Sequence, residues 1–405
     1  MNLLTINSFN CSAQAMGGVN QTTVTLTTYF TEQLGIHCYL GFFEDLPSIY
    51  EPLPLFEGRI LLSRYFDEQG FADFLRSNKI DIVQVNFLKK ENLKTLPQIY
   101  KIAHQCGAKV IYAFHMCPGF QIHAYGSWLR AQYGLKYNDN AFAETKKWLL
   151  TATSWLWRGI ARRALQSKYR IPYDSCDKVV VLSKYYFPTY LYYAGLEKSE
   201  KMSAIGNALR FNEFATDQDI QQKHKTVLVV ARFDEDTKRI SIMLKAWREI
   251  EQDARLSEWK LQLVGDGRDM AFYKYLVRQW HLQRVEFTGR QQPKEYYRNA
   301  SMFLMTSCAE GWPMVLMEAV QMGVPVVAMD SFGSLHDIIE DGVNGSIVPN
   351  NDMSAFVAAM KQMMQNEELR HEMSRHAVER SKSFVIDEVV RCWKQVFSEL
   401  IQEKQ

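Results

Sequence analysis

Short apolar runs of strand length alternate with amphipathic stretches of helix length from one end of the chain to the other. In the first half the strand candidates are residues 3–7, 38–42, 80–85, 109–114 and 178–182. In the second half they are 226–231, 260–264, 285–288, 302–305 and 324–329. This alternation argues for parallel sheets covered by helices on both faces. A chain of 405 residues exceeds what one hydrophobic core organises, so two doubly wound α/β units are expected. The boundary falls near Ala204-Ile205-Gly206-Asn207-Ala208, where a strand-like piece gives way to the polar stretch 212–225. After Gly345 the pattern is helical, with segments at 353–365, 367–383 and 386 to about 402.

Composition narrows the classes further. A formal charge of +2 argues against a nucleic-acid protein held by bulk electrostatics. The cysteines (Cys11, Cys38, Cys106, Cys117, Cys176, Cys308, Cys392) are scattered, without a C-x2-C pair. They read as thiols of a reducing compartment and not as a disulfide frame or a zinc site. The first ten residues lack a basic leader pattern, and no apolar run reaches transmembrane length. The expectation is a cytoplasmic protein.

The most informative run is Cys308-Ala309-Glu310-Gly311-Trp312-Pro313-Met314-Val315-Leu316-Met317-Glu318-Ala319. It reads as a strand exit, a glycine turn and a helix start bracketed by two carboxylates. Pro313 suits the first helical position, where its missing N–H would have no partner. The amides that follow Trp312 are then donors at a helix N-terminus, where a diphosphate can sit without a metal. Glu310 in the loop and Glu318 in the helix can each accept hydrogen bonds from sugar hydroxyls. A solvated loop acid followed by a helix-surface acid is the plain alternative.

This Glu-x7-Glu spacing, with Gly311 and Pro313 inside it and Ala319-Val320-Gln321-Met322-Gly323-Val324-Pro325 after it, resembles the donor-site motif of the family 4 retaining glycosyltransferases. The resemblance implies a GT-B fold: two Rossmann-like doubly wound domains facing across a cleft. They would span 1–205 on the acceptor side and 206–384 on the nucleotide-sugar side, with a helix at 385–405 crossing back to the first domain. Ile205-Gly206-Asn207 is similar to the family's junction segment. In Val229-Val230-Ala231-Arg232-Phe233-Asp234-Glu235-Asp236-Thr237-Lys238-Arg239, Arg232 and Lys238 match the pair that grips the donor diphosphate. A planar fork and a mobile point charge both neutralise the charge that grows on the leaving phosphate. Arg239 departs from the pattern, since the family usually has Gly after the Lys.

The same resemblance implies backbone contacts to the nucleotide from Gly265 in Gly265-Asp266-Gly267 and from Gly289 in Phe287-Thr288-Gly289-Arg290, and a Gly-Gly loop at Gly17 and Gly18. His115, at the end of a strand, matches a histidine that faces the donor sugar. With Glu310, Arg232 and Lys238 it completes the expected catalytic set. The expected donor-binding set is Gly17, Gly18, Arg232, Lys238, Gly265, Gly289, Gly311, Trp312, Pro313, Met314 and Glu318. Asp337 stands where the family commonly has a glutamate. Ser183 and Lys184 follow another strand; cleft lining and an ordinary helix cap explain Ser183 equally well.

Residues 128–184 collect Arg130, Lys136, Lys146, Lys147, Arg158, Arg162, Arg163, Lys168, Arg170, Lys178 and Lys184, interleaved with Trp128, Trp148, Trp155 and Trp157. Two readings stand side by side: a peripheral contact with the inner face of an anionic membrane, or tryptophans packed inward with solvated cations. The expected partners are a nucleotide-sugar donor and a glycan or lipid-linked acceptor of cell-surface polysaccharide synthesis, with no nucleic acid. With two cations on the phosphates, no metal and no other cofactor are expected. The rivals are a nucleotide-sugar epimerase of the same fold and a non-catalytic partner subunit. A glycosidase would need the two carboxylates facing each other across one sugar.

Overall fold

A computed structural model describes residues 1–9, 18–44, 55–62, 66–86, 88–89, 91–120 and 154–402. The chain divides into two compact units. One holds the described residues up to Gly119, those from Ser154 to Ala208, and the last helix from Ile386; the other holds Leu209–Val385.

The first unit is a parallel sheet of β1 (Asn2–Phe9), β2 (His37–Glu44), β3 (Gly58–Leu61), β4 (Ile82–Asn86), β5 (Lys109–Phe114), β6 (Lys178–Val181) and β7 (Met202–Ala204). Their order is β3-β2-β1-β4-β5-β6-β7. β4 and β5 are buried over almost their whole length, as a sheet covered on both faces requires. The last helix, Ile386–Gln402, seals one face. Its Val389, Val390, Trp393, Val396, Phe397 and Leu400 fall on one stripe and join Leu3, Leu26, Phe30 and Ile111 in a common core. Lys178 Nζ adds an ion pair to Glu399 at 2.9 Å.

The second unit repeats the design with β8 (His224–Val230), β9 (Lys260–Val264), β10 (Val285–Gly289), β11 (Ala300–Met305), β12 (Val326–Asp330) and β13 (Gly345–Pro349). Strand order is β10-β9-β8-β11-β12-β13, again all parallel. The sequence pattern missed β3 and β13. β13 corrects the expectation that only helices follow Gly345: Gly345–Pro349 pairs with β12 along its full length. As an edge strand only half buried, it lacks the apolar run that marks the others.

In both sheets the chain winds outward in one direction from the first strand and then in the other. The reversal lies between β1 and β4 in one unit and between β8 and β11 in the other. In α/β sheets the crevice beyond the carboxyl ends of such strands is where ligands bind.

Candidate functional site

In the second unit the two motif segments leave β8 and β11, the strands that flank the reversal. The exit of β8 is held down by β9's turn. Phe233, fully buried, donates its N–H to Asp266 O at 2.8 Å and accepts at its carbonyl from Asp269 N at 3.1 Å. Gly265 and Gly267 make this approach sterically feasible. A Cβ on Gly265 (φ +142°) would lie 1.9 Å from Ala231 O, and one on Gly267 2.4 Å from Phe233 O. These glycines therefore have a packing reason to be glycine, independent of any ligand. Gly265 N also bonds Gly289 O at 2.8 Å, which ties the β9 and β10 turns together.

The β8 exit is next laced to the β11 exit. Thr306 Oγ1 donates to the carbonyls of Lys238 (2.9 Å) and Arg239 (3.0 Å), and Cys308 N donates to Thr237 O at 2.8 Å. The result places Lys238 Nζ 2.5 Å from Glu310 Oε1, with both side chains more than four-fifths buried. Arg232 is arranged differently. Its side chain is 72% exposed and pairs with Asp234 at 3.1 Å. Asp234 and Asp236 form an Asp-x-Asp pair, yet Arg268 engages both and also reaches Asp269.

Arg239 resolves its departure from the resemblance. Its backbone is left-handed (φ 51°, ψ 43°), the region glycine enters most easily. The side chain is buried, and its guanidinium donates to Thr306 O (2.5 Å), Ser307 O (3.3 Å), Asn350 Oδ1 (3.0 Å) and Asn351 Oδ1 (2.9 Å). The turn survives without glycine because the arginine clamps three segments.

Beyond Glu310 the chain passes Gly311 and a buried Trp312, whose ring packs edge-on against Phe384 at 5.8 Å. The helix is Met314–Gln321, and Pro313 is its N-cap (φ −75°, ψ 98°), not the first helical residue as expected. The reason lies in the bonding: Pro313 O accepts from Leu316 N (2.9 Å) and Met317 N (3.2 Å), as a capping carbonyl does. The N–H groups of Met314 and Val315 precede the first intrahelical bond. Glu318 is 2% exposed, with Arg210 Nη1 3.4 Å away. Burial pushes its carboxyl pKa up, while the Tyr297 hydroxyl and the Arg210 guanidinium act the other way.

In the first unit, His115 follows β5 and sets Nε2 3.3 Å from Asn86 Oδ1 at the end of β4. Asn86 Nδ2 donates to Asn7 Oδ1 (2.8 Å) and Thr23 Oγ1 (2.9 Å), and Gln84 Nε2 donates to Asn86 Oδ1 (3.0 Å). Burial pulls the imidazole's pKa down to about 4, so it is neutral at physiological pH. Sequence reading did not single out Asn7, Gln84 or Asn86. The signal available was a polar residue within or closing an apolar strand.

Gly17 lies outside the described residues; Gly18 opens the helix Gly18–Leu34. Ser183 caps the turn at Lys184–Tyr186 by accepting from Tyr185 N at 3.1 Å, and Lys184 stands exposed over the Tyr185 ring. Asp337 sits in the short helix Leu335–Ile338, and its carbonyl accepts from Arg380. Of the basic aromatic stretch, residues 121–153 lie outside the described residues, as do the side chains of Trp155, Trp157 and Arg158. Arg162 stacks over the ring of Tyr192 at 4.5 Å and donates to its carbonyl. Among the described residues, no group of carboxylates, histidines and cysteines is spaced to hold a metal ion, and no helix is long and apolar enough to cross a membrane.

Residues 211–380 match the model of the glycosyl transferases group 1. The chain is 27% identical over 56% of its length to the amylovoran biosynthesis glycosyltransferase AmsD of Erwinia amylovora, covering 63% of that protein. It is 25% identical over 57% of its length to a Campylobacter jejuni protein, covering 62% of it. That relative is named GalNAc-alpha-(1->4)-GalNAc-alpha-(1->3)-diNAcBac-PP-undecaprenol alpha-1,4-N-acetyl-D-galactosaminyltransferase. A third match, at 33% identity to a Streptomyces coelicolor exopolysaccharide phosphotransferase, spans 36% of this chain and 16% of that one. The chain thus spans less than two thirds of these relatives. Among solved structures, the apo lipopolysaccharide outer core galactosyltransferase WaaB superposes with a TM-score of 0.69 at 16% identity, over 98% of this chain and all of that one. Anabaena Alr3699/HepE in complex with UDP gives 0.70 at 15% identity, over 98% and 100%. With the two parallel sheets, these likenesses identify the fold as GT-B.

Proposed function

We propose that this protein is a retaining glycosyltransferase that moves a sugar from a nucleoside diphosphate to a hydroxyl of a glycan or lipid-linked acceptor in cell-surface polysaccharide synthesis. The observation that carries the reading is the buried Lys238–Glu310 pair at 2.5 Å, where two strand exits meet beside the sheet's reversal. A lysine and a carboxylate so placed would serve adjacent parts of one ligand, phosphate and sugar.

In this reading Lys238 and Arg232 neutralise the diphosphate, and the amides of Met314 and Val315 add to that stabilisation. Glu310 takes hydrogen bonds from the transferred sugar, and Glu318 from the ribose. His115, neutral and tied to Asn86, offers a hydrogen bond to a sugar hydroxyl without adding charge. The bond from the anomeric carbon to the phosphate oxygen breaks, and the acceptor oxygen bonds to that carbon on the same face. The departing phosphate oxygen takes the acceptor's proton. Arg268 occupies the Asp-x-Asp pair, which supports chemistry without a bound divalent cation. The exposed Arg162, Lys184, Tyr185 and Tyr192 would suit an acceptor at an anionic lipid surface.

The test is donor breakdown. Incubated with nucleotide sugars, the protein should release nucleoside diphosphate slowly, and faster with the correct acceptor. NMR of the product's anomeric proton should show the donor's configuration. Conversion of the donor to an epimer with no acceptor present would replace this reading with the isomerase.

A further inference from the structure

Residues 209–215 run along one face of the helix Met314–Gln321. Gln321 Nε2 donates to the carbonyls of Phe211 (2.7 Å) and Glu213 (2.9 Å), and Ala215 N donates to Gln321 O. Leu209 N is anchored on Phe384 O at 2.9 Å. Glu318 lies three residues before Gln321, hence on the same helix face. The segment so pinned brings Arg210 to Glu318, whose side chain is only 3% exposed while that of Arg210 is 45% exposed.

A carboxylate this deeply buried is costly to ionise unless a charge or a donor compensates. From the elements around it, Arg210 and Tyr297 are the groups that act on it. Tyr297, on the helix Lys294–Asn299, is fully buried, and its own pKa is pushed well up, so it stays neutral. The nearby Lys294 and Arg298 are engaged at the surface, both with Glu213 and Arg298 also with Asp219 and Glu295. Arg210 is therefore the cation available to Glu318.

We propose that Arg210 is the positioning residue of Glu318, holding that buried carboxylate in its ionised form for the ribose hydroxyls of a nucleoside diphosphate. The ribose part rests on the donor-site reading above; the coupling of Arg210 to Glu318 does not. Sequence reading passed Arg210 by because nothing in the run Ala208-Leu209-Arg210-Phe211 names its partner, which lies 108 residues on.

Two measurements on the full chain test it. The first needs no ligand: thermal stability of wild type, Arg210→Met, Arg210→Lys and Glu318→Gln from pH 5 to 9. Glu318's folded pKa lies above its unfolded value, so ionising it costs stability as pH rises through the folded pKa. Removing Arg210 raises that pKa further. The deficit of Arg210→Met should then be smallest at the acid end of the series, where protonation of Glu318 is most advanced in both proteins, and should grow toward pH 9. In the Glu318→Gln background it should no longer vary with pH, and Arg210→Lys should restore part of it. A deficit equal at every pH, or none, overturns the proposal.

The second is calorimetric titration with UDP, GDP, ADP and CDP, following whichever binds. Arg210→Met should bind more weakly than wild type by a factor that grows as pH falls and shrinks as pH rises. Loss by one constant factor overturns the ribose role. If wild type binds none of the four, the donor-site reading fails while the stability series still decides the Arg210–Glu318 coupling.

Discussion

Arg239 offers a sharp test of how the two strand exits are held, because its backbone and its side chain pull in opposite directions. The left-handed φ costs a non-glycine residue about 1–2 kcal/mol. Against this stand four hydrogen bonds from a buried guanidinium. Replacing Arg239 by Met keeps the strain and removes the bonds. Asn350 and Asn351 are exposed and regain water, and Ser307 O keeps the hydroxyl of Ser331. Thr306 is fully buried, and its carbonyl is left without a partner at a cost of about 1–3 kcal/mol. With roughly 1 kcal/mol for the weaker losses, Arg239→Met should cost about 2–4 kcal/mol. Arg239→Gly loses the same bonds but relieves the backbone, so it should recover about 1–2 kcal/mol of that deficit. Urea unfolding followed by tryptophan fluorescence is the assay, since Trp247 and Trp259 lie in the core of this unit. Arg239→Gly at or above wild-type stability would show that the clamp contributes nothing net. Equal deficits for the two variants would refute the strain argument.

Three other expectations follow from the same geometry. Glu318→Ala should weaken nucleoside diphosphate binding about tenfold to a hundredfold, the loss of one charge-assisted hydrogen bond, measured by titration at pH 8. Gly265→Ala should destabilise the second unit by about 3 kcal/mol or more, because its Cβ would meet Ala231 O at a φ that alanine disfavours; a melting temperature within a degree of wild type would contradict the packing account. His115 has its pKa lowered from 6.5 to about 4 by burial, so the unfolded chain binds its proton first as pH falls. Its contribution to stability is full above about pH 6.5 and is lost toward pH 4, and His115→Gln should flatten that part of a melting-temperature series.

The sheet architecture was legible because parallel strands covered on both faces carry mostly apolar runs, as in 109–114 and 260–264, which match β5 and β9 residue for residue although Lys109 and Gln262 are only partly buried and Lys260 is exposed. The half-buried β3 and β13 carry no such run and stayed hidden. In the candidate site, Glu310 and Lys238 were singled out through a family resemblance that short local motifs carry, and the two side chains meet across 72 residues of sequence. Arg210 and Asn86 were not, since their partners are set by tertiary packing and by no local pattern. Arg239 was legible only as an irregularity; its explanation needed the carbonyls of Thr306 and Ser307, which sequence does not place.

A working donor site in the second unit should reveal itself in thermal stabilisation by UDP, GDP, ADP and CDP, each with EDTA and with magnesium. One diphosphate should raise the melting temperature by mass action, equally with chelator and with metal, and Lys238→Met should abolish the shift. No shift with any of the four, in a protein that melts cooperatively, would contradict such a site and favour a non-catalytic GT-B subunit.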